Sequence, residues 1–113
     1  MREEINATPY DLFLFNGIEF ALYEGEGMLW ITIESLTEII NSTDRAPIIK
    51  CDFIYSSNSL ERKFKNTVLE NEYAIMMLIL ETQRKPGDMA HFFFNIFQNY
   101  RKRFSMARAL CIY

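Results

Sequence analysis

One histidine and two cysteines are all that this chain offers for nucleophilic or metal chemistry beyond its carboxylates and hydroxyls. His91 stands beside Phe92, Phe93 and Phe94. No acid or nucleophile lies at a recognisable spacing from it, so no relay of nucleophile, base and orienting group can be read there. It reads as an ordinary helix histidine. Cys51 and Cys111 are too few and too distant to make a zinc site with it. Cys51 reads as a buried strand residue and Cys111 as a tail residue. Gly25 and Gly27 belong to Glu24-Gly25-Glu26-Gly27. They read as turn glycines, because a phosphate cradle needs a strand, a glycine loop and a helix in succession. The chain is therefore not expected to be an enzyme, and no cofactor or metal is expected.

Binding chemistry is better represented. Arg101, Lys102 and Arg103, with Arg108 beyond them, form a basic cluster near the carboxy terminus. Cations there complement a helix dipole, and they could equally contact phosphates. Glu24 and Glu26 flank a hairpin tip. They read either as a solvated turn or as a contact for a basic partner. Phe92, Phe94 and Ile96 lie beside a helical seam and read either as core or as a protein interface, for which aromatic residues are favoured anchors.

The elements that hold these residues must fit in 113 residues, enough for one domain over 1–113. Half the chain is hydrophobic, with ten Phe, six Tyr and one Trp, so a core can form without staples. The net charge of −3 counts against a nonspecific nucleic-acid binder. Two cysteines do not make a disulfide framework. Met1-Arg2-Glu3-Glu4 carries acid where a signal peptide would carry base. The longest apolar run, residues 73–80, is too short for a bilayer, which needs about 20 residues. A soluble, cytoplasmic protein with no membrane partner is expected.

Leu12 to Phe15, then Asn16-Gly17, then alternating Ile18, Phe20 and Leu22 predict a hairpin, because both turn residues tolerate positive φ. The acidic-glycine turn leads to a third strand over Met28 to Ile31, completing a meander. Thr32 is the expected N-cap of a helix with Glu34 in its first turn and Ile33, Leu36, Ile39 and Ile40 as its buried stripe. A strand is expected over 48–55. Asn58 and Glu61 have capping-box spacing, and Leu60, Phe64 and Val68 then predict a helical face. Residues 71–82 predict a further helix, apolar nearly all round, with a buried strand as the competing reading. After Lys85-Pro86-Gly87, Asp88 caps a last long helix whose Ala90, Phe93, Phe97, Tyr100 and Phe104 face the core. So wide an aromatic belt predicts a homo-oligomer through its outer face. The sum is an α+β domain: a three-stranded antiparallel meander, one further strand and about four helices.

Three stretches resemble the BRO-N family, the amino-terminal domain of phage antirepressors and baculovirus BRO proteins. The first runs from Phe15-Asn16-Gly17-Ile18-Glu19-Phe20 through Leu29-Trp30-Ile31-Thr32 and into the helix over 33–41. The second is Asn71-Glu72-Tyr73-Ala74-Ile75-Met76-Met77-Leu78-Ile79-Leu80, similar to a family run that begins Asn-Glu-Ser-Gly-Leu-Tyr. Tyr73-Ala74 stands here in place of Ser-Gly, and Met76 in place of the aromatic. The third is Arg84-Lys85-Pro86, with Phe93 and Phe94 at the places of a later Phe and Trp. The resemblance spans 12–42 and 70–104. It implies a phage or prophage regulator, acting in the cytoplasm of a bacterial host, that binds a repressor or other regulatory protein. DNA binding is ascribed to members of the family, so a transcription regulator using Arg101, Lys102, Arg103 and Arg108 is the alternative. Inhibition of a host defence protein on the same scaffold is a third.

Overall fold

The computed structural model describes residues 4–43, 60–65, 67–83 and 85–112, with side chains described as far as residue 103. The expected strand over 48–55, Cys51 and Asn58 lie outside these residues, as do the side chains of Phe104, Arg108 and Cys111. The fold is α+β. Strands β1 (Thr8–Phe15), β2 (Ile18–Gly25) and β3 (Met28–Thr32) precede helix α1 (Ile33–Asn41). Strands β4 (Glu61–Phe64) and β5 (Thr67–Asn71) precede helices α2 (Glu72–Thr82) and α3 (Gly87–Ile112). The sheet is antiparallel with five strands in the order β1-β2-β3-β5-β4.

The meander forms as its turn residues dictate. Asn16 and Gly17 take φ of 52° and 78°, and Glu26 and Gly27 take 53° and 73°. Both turns therefore have the left-handed backbone that suits the twist of two flanking strands. Thr32 caps α1, its hydroxyl accepting from the Ser35 N–H at 3.1 Å. Ile33, Leu36, Ile39 and Ile40 are the buried stripe of that helix.

The expected helix around Leu60, Phe64 and Val68 is instead the β4–β5 hairpin, turned beside Lys65 at φ 55°. The described residues thus hold three helices, not four. A spacing of four is ambiguous: it is one helical turn and also two strand repeats. Leu60 and Phe64 share a face in both readings, and here that face is packed against Trp30 and Leu69. Glu61 is accordingly a strand residue and caps nothing. α3 begins at Gly87, one residue before the expected cap, so Asp88 lies in its first turn.

The sheet has two different faces. One carries Phe20, Leu22, Leu29 and Ile31 beneath α1, α2 and α3, packed with Ile75, Ile79, Phe93 and Phe97. Phe93 is fully buried, and its ring lies 5.7 Å from that of Phe20 and 5.9 Å from that of Phe97. The other face carries a smaller cluster of Trp30 and Leu69, covered by Ile5 and Ala7 of the segment before β1. Trp30 has no exposed surface, and it is the amino-terminal segment, not a helix, that covers it. The covering segment reaches β4, where the Ile5 N–H donates to the Lys63 carbonyl at 3.1 Å.

The β5–α2 junction is organised by Asn71. Its side-chain oxygen accepts from the N–H of Ala74 at 3.1 Å, capping α2, and from that of Leu60 at 2.9 Å. No helix among the described residues is long and apolar enough to cross a membrane.

Candidate functional site

A cleft of about 430 Å³ opens between the β2–β3 turn and the middle of α3. Tyr10 and Tyr100 wall it, Gly25 and Gly27 form its turn side, and Glu24 and Arg103 bring charge to it. Each of these groups is placed by local structure. The indole Nε1 of Trp30 donates to the Gly25 carbonyl at 2.8 Å and ties the turn to β3. A β-carbon at Gly25 would stand 2.9 Å from Ile5 Cδ1 and 3.2 Å from the Asn6 carbonyl oxygen. Glycine is thus what lets the amino-terminal segment cross close to the turn.

Tyr100 is the buried member of the cleft. Its ring meets that of Tyr10 edge-on, centroids 5.2 Å apart. Its hydroxyl bonds to the Glu24 carboxylate. Burial, the Glu24 charge, that hydrogen bond and Tyr10 together push the Tyr100 pKa up to about 12. The phenol is therefore a proton donor that holds Glu24 in place, and at neutral pH it is not a nucleophile. Arg103 donates to the Tyr10 hydroxyl at 3.3 Å. An aromatic wall with one fixed carboxylate and one guanidinium suits reception of a charged or polar side chain.

Arg101, Lys102 and Arg103 have separate surroundings. Arg101 forms an ion pair with the buried carboxylate of Glu72 at the start of α2. Arg103 turns to the Tyr10 cleft, and Lys102 is exposed between them. Successive residues on a helix point about 100° apart, so three in a row diverge. Glu24 and Glu26 also part company. Glu24 is half-buried in the cleft, while Glu26 is exposed and pairs with Arg62 at 3.7 Å.

The outer aromatic face shrinks in the same way. Phe92 is half-buried, with its ring 4.9 Å from that of Phe15 and 6.2 Å from that of Phe20. Ile96 is buried in the helix-side core. Phe94 remains 49% exposed. His91 is exposed on α3. The described residues contain no group of three or more His, Cys, Asp or Glu able to hold a metal ion.

Two features escape the sequence reading. Tyr100 has core spacing, and nothing in the spacing marks its tip as facing Glu24, far away in the chain. Leu12 and Leu14 were simple strand residues by pattern, yet they are 62% and 65% exposed. Their alternation with Phe13 and Phe15 is the signal that one set must leave the aromatic layer. Comparison with protein-family models, curated proteins and solved structures gives no match for this chain.

Proposed function

We propose that this chain is an antirepressor-like regulator of phage or prophage type, which acts by binding a repressor or another regulatory protein. The reading rests on the BRO-N resemblance. The observation that carries it over its rivals is the divergence of the basic cluster: Arg101 is engaged by Glu72 and Arg103 by Tyr10, while apolar side chains such as Phe94 stand exposed. A surface of that kind favours protein over phosphate. The resemblance motif Asn71-Glu72 also has a physical role here, since Asn71 caps α2 and Glu72 ties α2 to α3. The mechanism would be differential affinity for the repressor's states, with no bond made or broken. Self-association of the regulator is part of this reading, and the work is done in the bacterial cytoplasm.

The test compares two variants. The first replaces Phe94 with Ser and Glu24 and Glu26 with Gln. The second replaces Arg101, Lys102 and Arg103 with Ala. Capture of a repressor from a lysogenic host lysate is expected to fail with the first and persist with the second. Tight binding of the purified chain to duplex DNA, falling steeply with salt and lost in the second variant, would instead make it a DNA-binding regulator. The salt slope would then be about −0.9 per phosphate contacted. Capture of a host defence protein and no repressor would support the inhibitor reading.

A further inference from the structure

The outer edge of β1 is the most distinctive surface outside the cleft. β1 lies at one end of the sheet, and among the described residues only β2 pairs with it. Phe15 pairs with Ile18 across a two-residue turn, and Phe13 with Phe20. Such a turn is closed by a hydrogen-bonded pair, and antiparallel pairing then alternates. The backbone groups of Phe13 and Phe15 therefore point at β2, and those of Leu12 and Leu14 point outward. The Leu12 N–H agrees with this: it donates at 2.8 Å to its neighbour's carboxylate, Asp11 Oδ1, and not to β2. The side chains of Leu12 and Leu14 are the two most exposed large hydrophobic groups described. An edge with outward amides and bare leucines is a template for another strand.

We propose that this edge binds the same edge of a second copy, so that two sheets join into one through antiparallel β1–β1 pairing about a two-fold axis. The proposal rests on the self-association named above and assigns it to a surface other than α3. An antiparallel strand is its own complement, and one register engages both leucines of each copy. With Phe13 on the axis, Leu12 of one copy opposes Leu14 of the other, in both directions. These are the residues with outward backbone groups, so they form two reciprocal hydrogen-bonded pairs. Their side chains lie on the face away from the helices, as Leu12 opposes Ala21 and Leu14 opposes Glu19 on β2, and they make an apolar ladder across the junction. On the helix side, Phe13 meets Phe13 of the second copy and extends the Phe13–Phe20 stack, whose centroids are 5.9 Å apart. Charge fits as well. Asp11 is the one charged residue of β1, and in this register it faces Phe15 and not a second Asp11. Docking requires Asp11 to release the Leu12 N–H to the Leu14 carbonyl of the second copy.

Leu14→Pro is the sharpest test, because an outward N–H on an edge strand is where a fold tolerates proline. The full chain should sediment as a dimer in the micromolar range. Leu14→Pro, with an unchanged far-ultraviolet circular dichroism spectrum, should weaken the dimer roughly thirtyfold through one donor lost per copy. Leu14→Lys keeps the N–H, removes the apolar ladder and serves should the proline variant misfold; it should be monomeric. Asp11→Asn should leave the dimer as tight or tighter. A wild-type monomer overturns both the edge and self-association. A dimer that survives Leu14→Lys overturns the edge alone. Amide exchange gives an independent arm: Leu12 and Leu14 should gain protection as concentration rises. Protection independent of concentration would mean the edge is covered within one chain, and would also overturn the proposal.

Discussion

The two sides of the sheet are finished in opposite ways. The β4 side is closed. Charged residues fill its strand, from Glu61 through Lys63, and the amino-terminal segment bridges onto it at Lys63. Ile5 and Ala7 cover Trp30, and the Arg62 guanidinium lies 5.9 Å from the centre of its ring. Among the described residues the β1 side is open. It has one acid, exposed leucines and a cleft in which a phenol holds a carboxylate. Closed edges with charge resist further pairing, whereas open apolar edges invite it. Under the function proposed above, the difference assigns stability to one side and recognition to the other. Substitutions should divide along the same line.

The largest effect is expected at the centre of the closed side. Trp30→Ala removes a fully buried indole and the hydrogen bond from its Nε1 to Gly25, and should cost about 3–5 kcal/mol. Urea denaturation measures this. The wild-type fluorescence maximum should be blue-shifted from that of free tryptophan in water. An indole that emits as if solvated would break the comparison, since the amino-terminal segment would then cover nothing.

Asn71→Ala comes next, at about 2 kcal/mol. It removes the N-cap of α2 and leaves the Leu60 N–H without its acceptor. Asn71→Asp keeps the acceptor oxygen and should recover most of the loss. Equal loss in both variants would show that the side-chain amide, and not the cap, sets the stability.

Which parts of this arrangement could be read in advance follows from what kind of signal each part leaves. The meander was legible because Asn16-Gly17 and Glu26-Gly27 carry backbone requirements that few residue pairs meet. α1 was legible through Thr32 and its four-residue apolar stripe, and α2 through its apolar run, although Asn71 proves to be its cap and not part of its first turn. The β4–β5 hairpin was not, because the spacing of Leu60, Phe64 and Val68 fits both periods and the residues between them are polar. The site was legible only in pieces. Glu24 and Arg103 were chosen as partners for separate ligands, yet the fold brings them into one cleft. That meeting depends on how α3 lies across the hairpin, and no local pattern encodes it. Ile96 stayed open between core and interface because seam positions do not say how wide a helix is buried.

The open side should show its own stability effect only in alkali. The Tyr100 pKa is raised from 10.0 in the unfolded chain to about 12. Below about pH 10 both states keep the proton, so the contribution is fully present there. Between about pH 10 and about pH 12 the unfolded chain loses a proton that the folded chain retains. Stability should then fall as pH rises, by on the order of 1 kcal/mol in all, since solvent screens the site. Tyr100→Phe keeps the ring against Tyr10 and should remove this part of the slope. An unchanged slope in that variant would place the alkaline sensitivity elsewhere.

The smallest effect on folding should come from the most exposed apolar side chains. Leu12 and Leu14 contribute little buried area to the chain itself, so changing both to Lys should alter monomer stability by no more than about 0.5 kcal/mol. The comparison requires a chain that unfolds at nearly the same urea concentration as wild type when both are dilute. At higher protein concentration the wild type should gain stability by mass action and the double variant should not. This separates an edge that holds the fold from an edge that holds a partner. A loss approaching that of Trp30→Ala, independent of concentration, would mean that Leu12 and Leu14 are buried within the chain. The two sides of the sheet would then be equally closed, and the recognition surface would have to lie at the cleft alone.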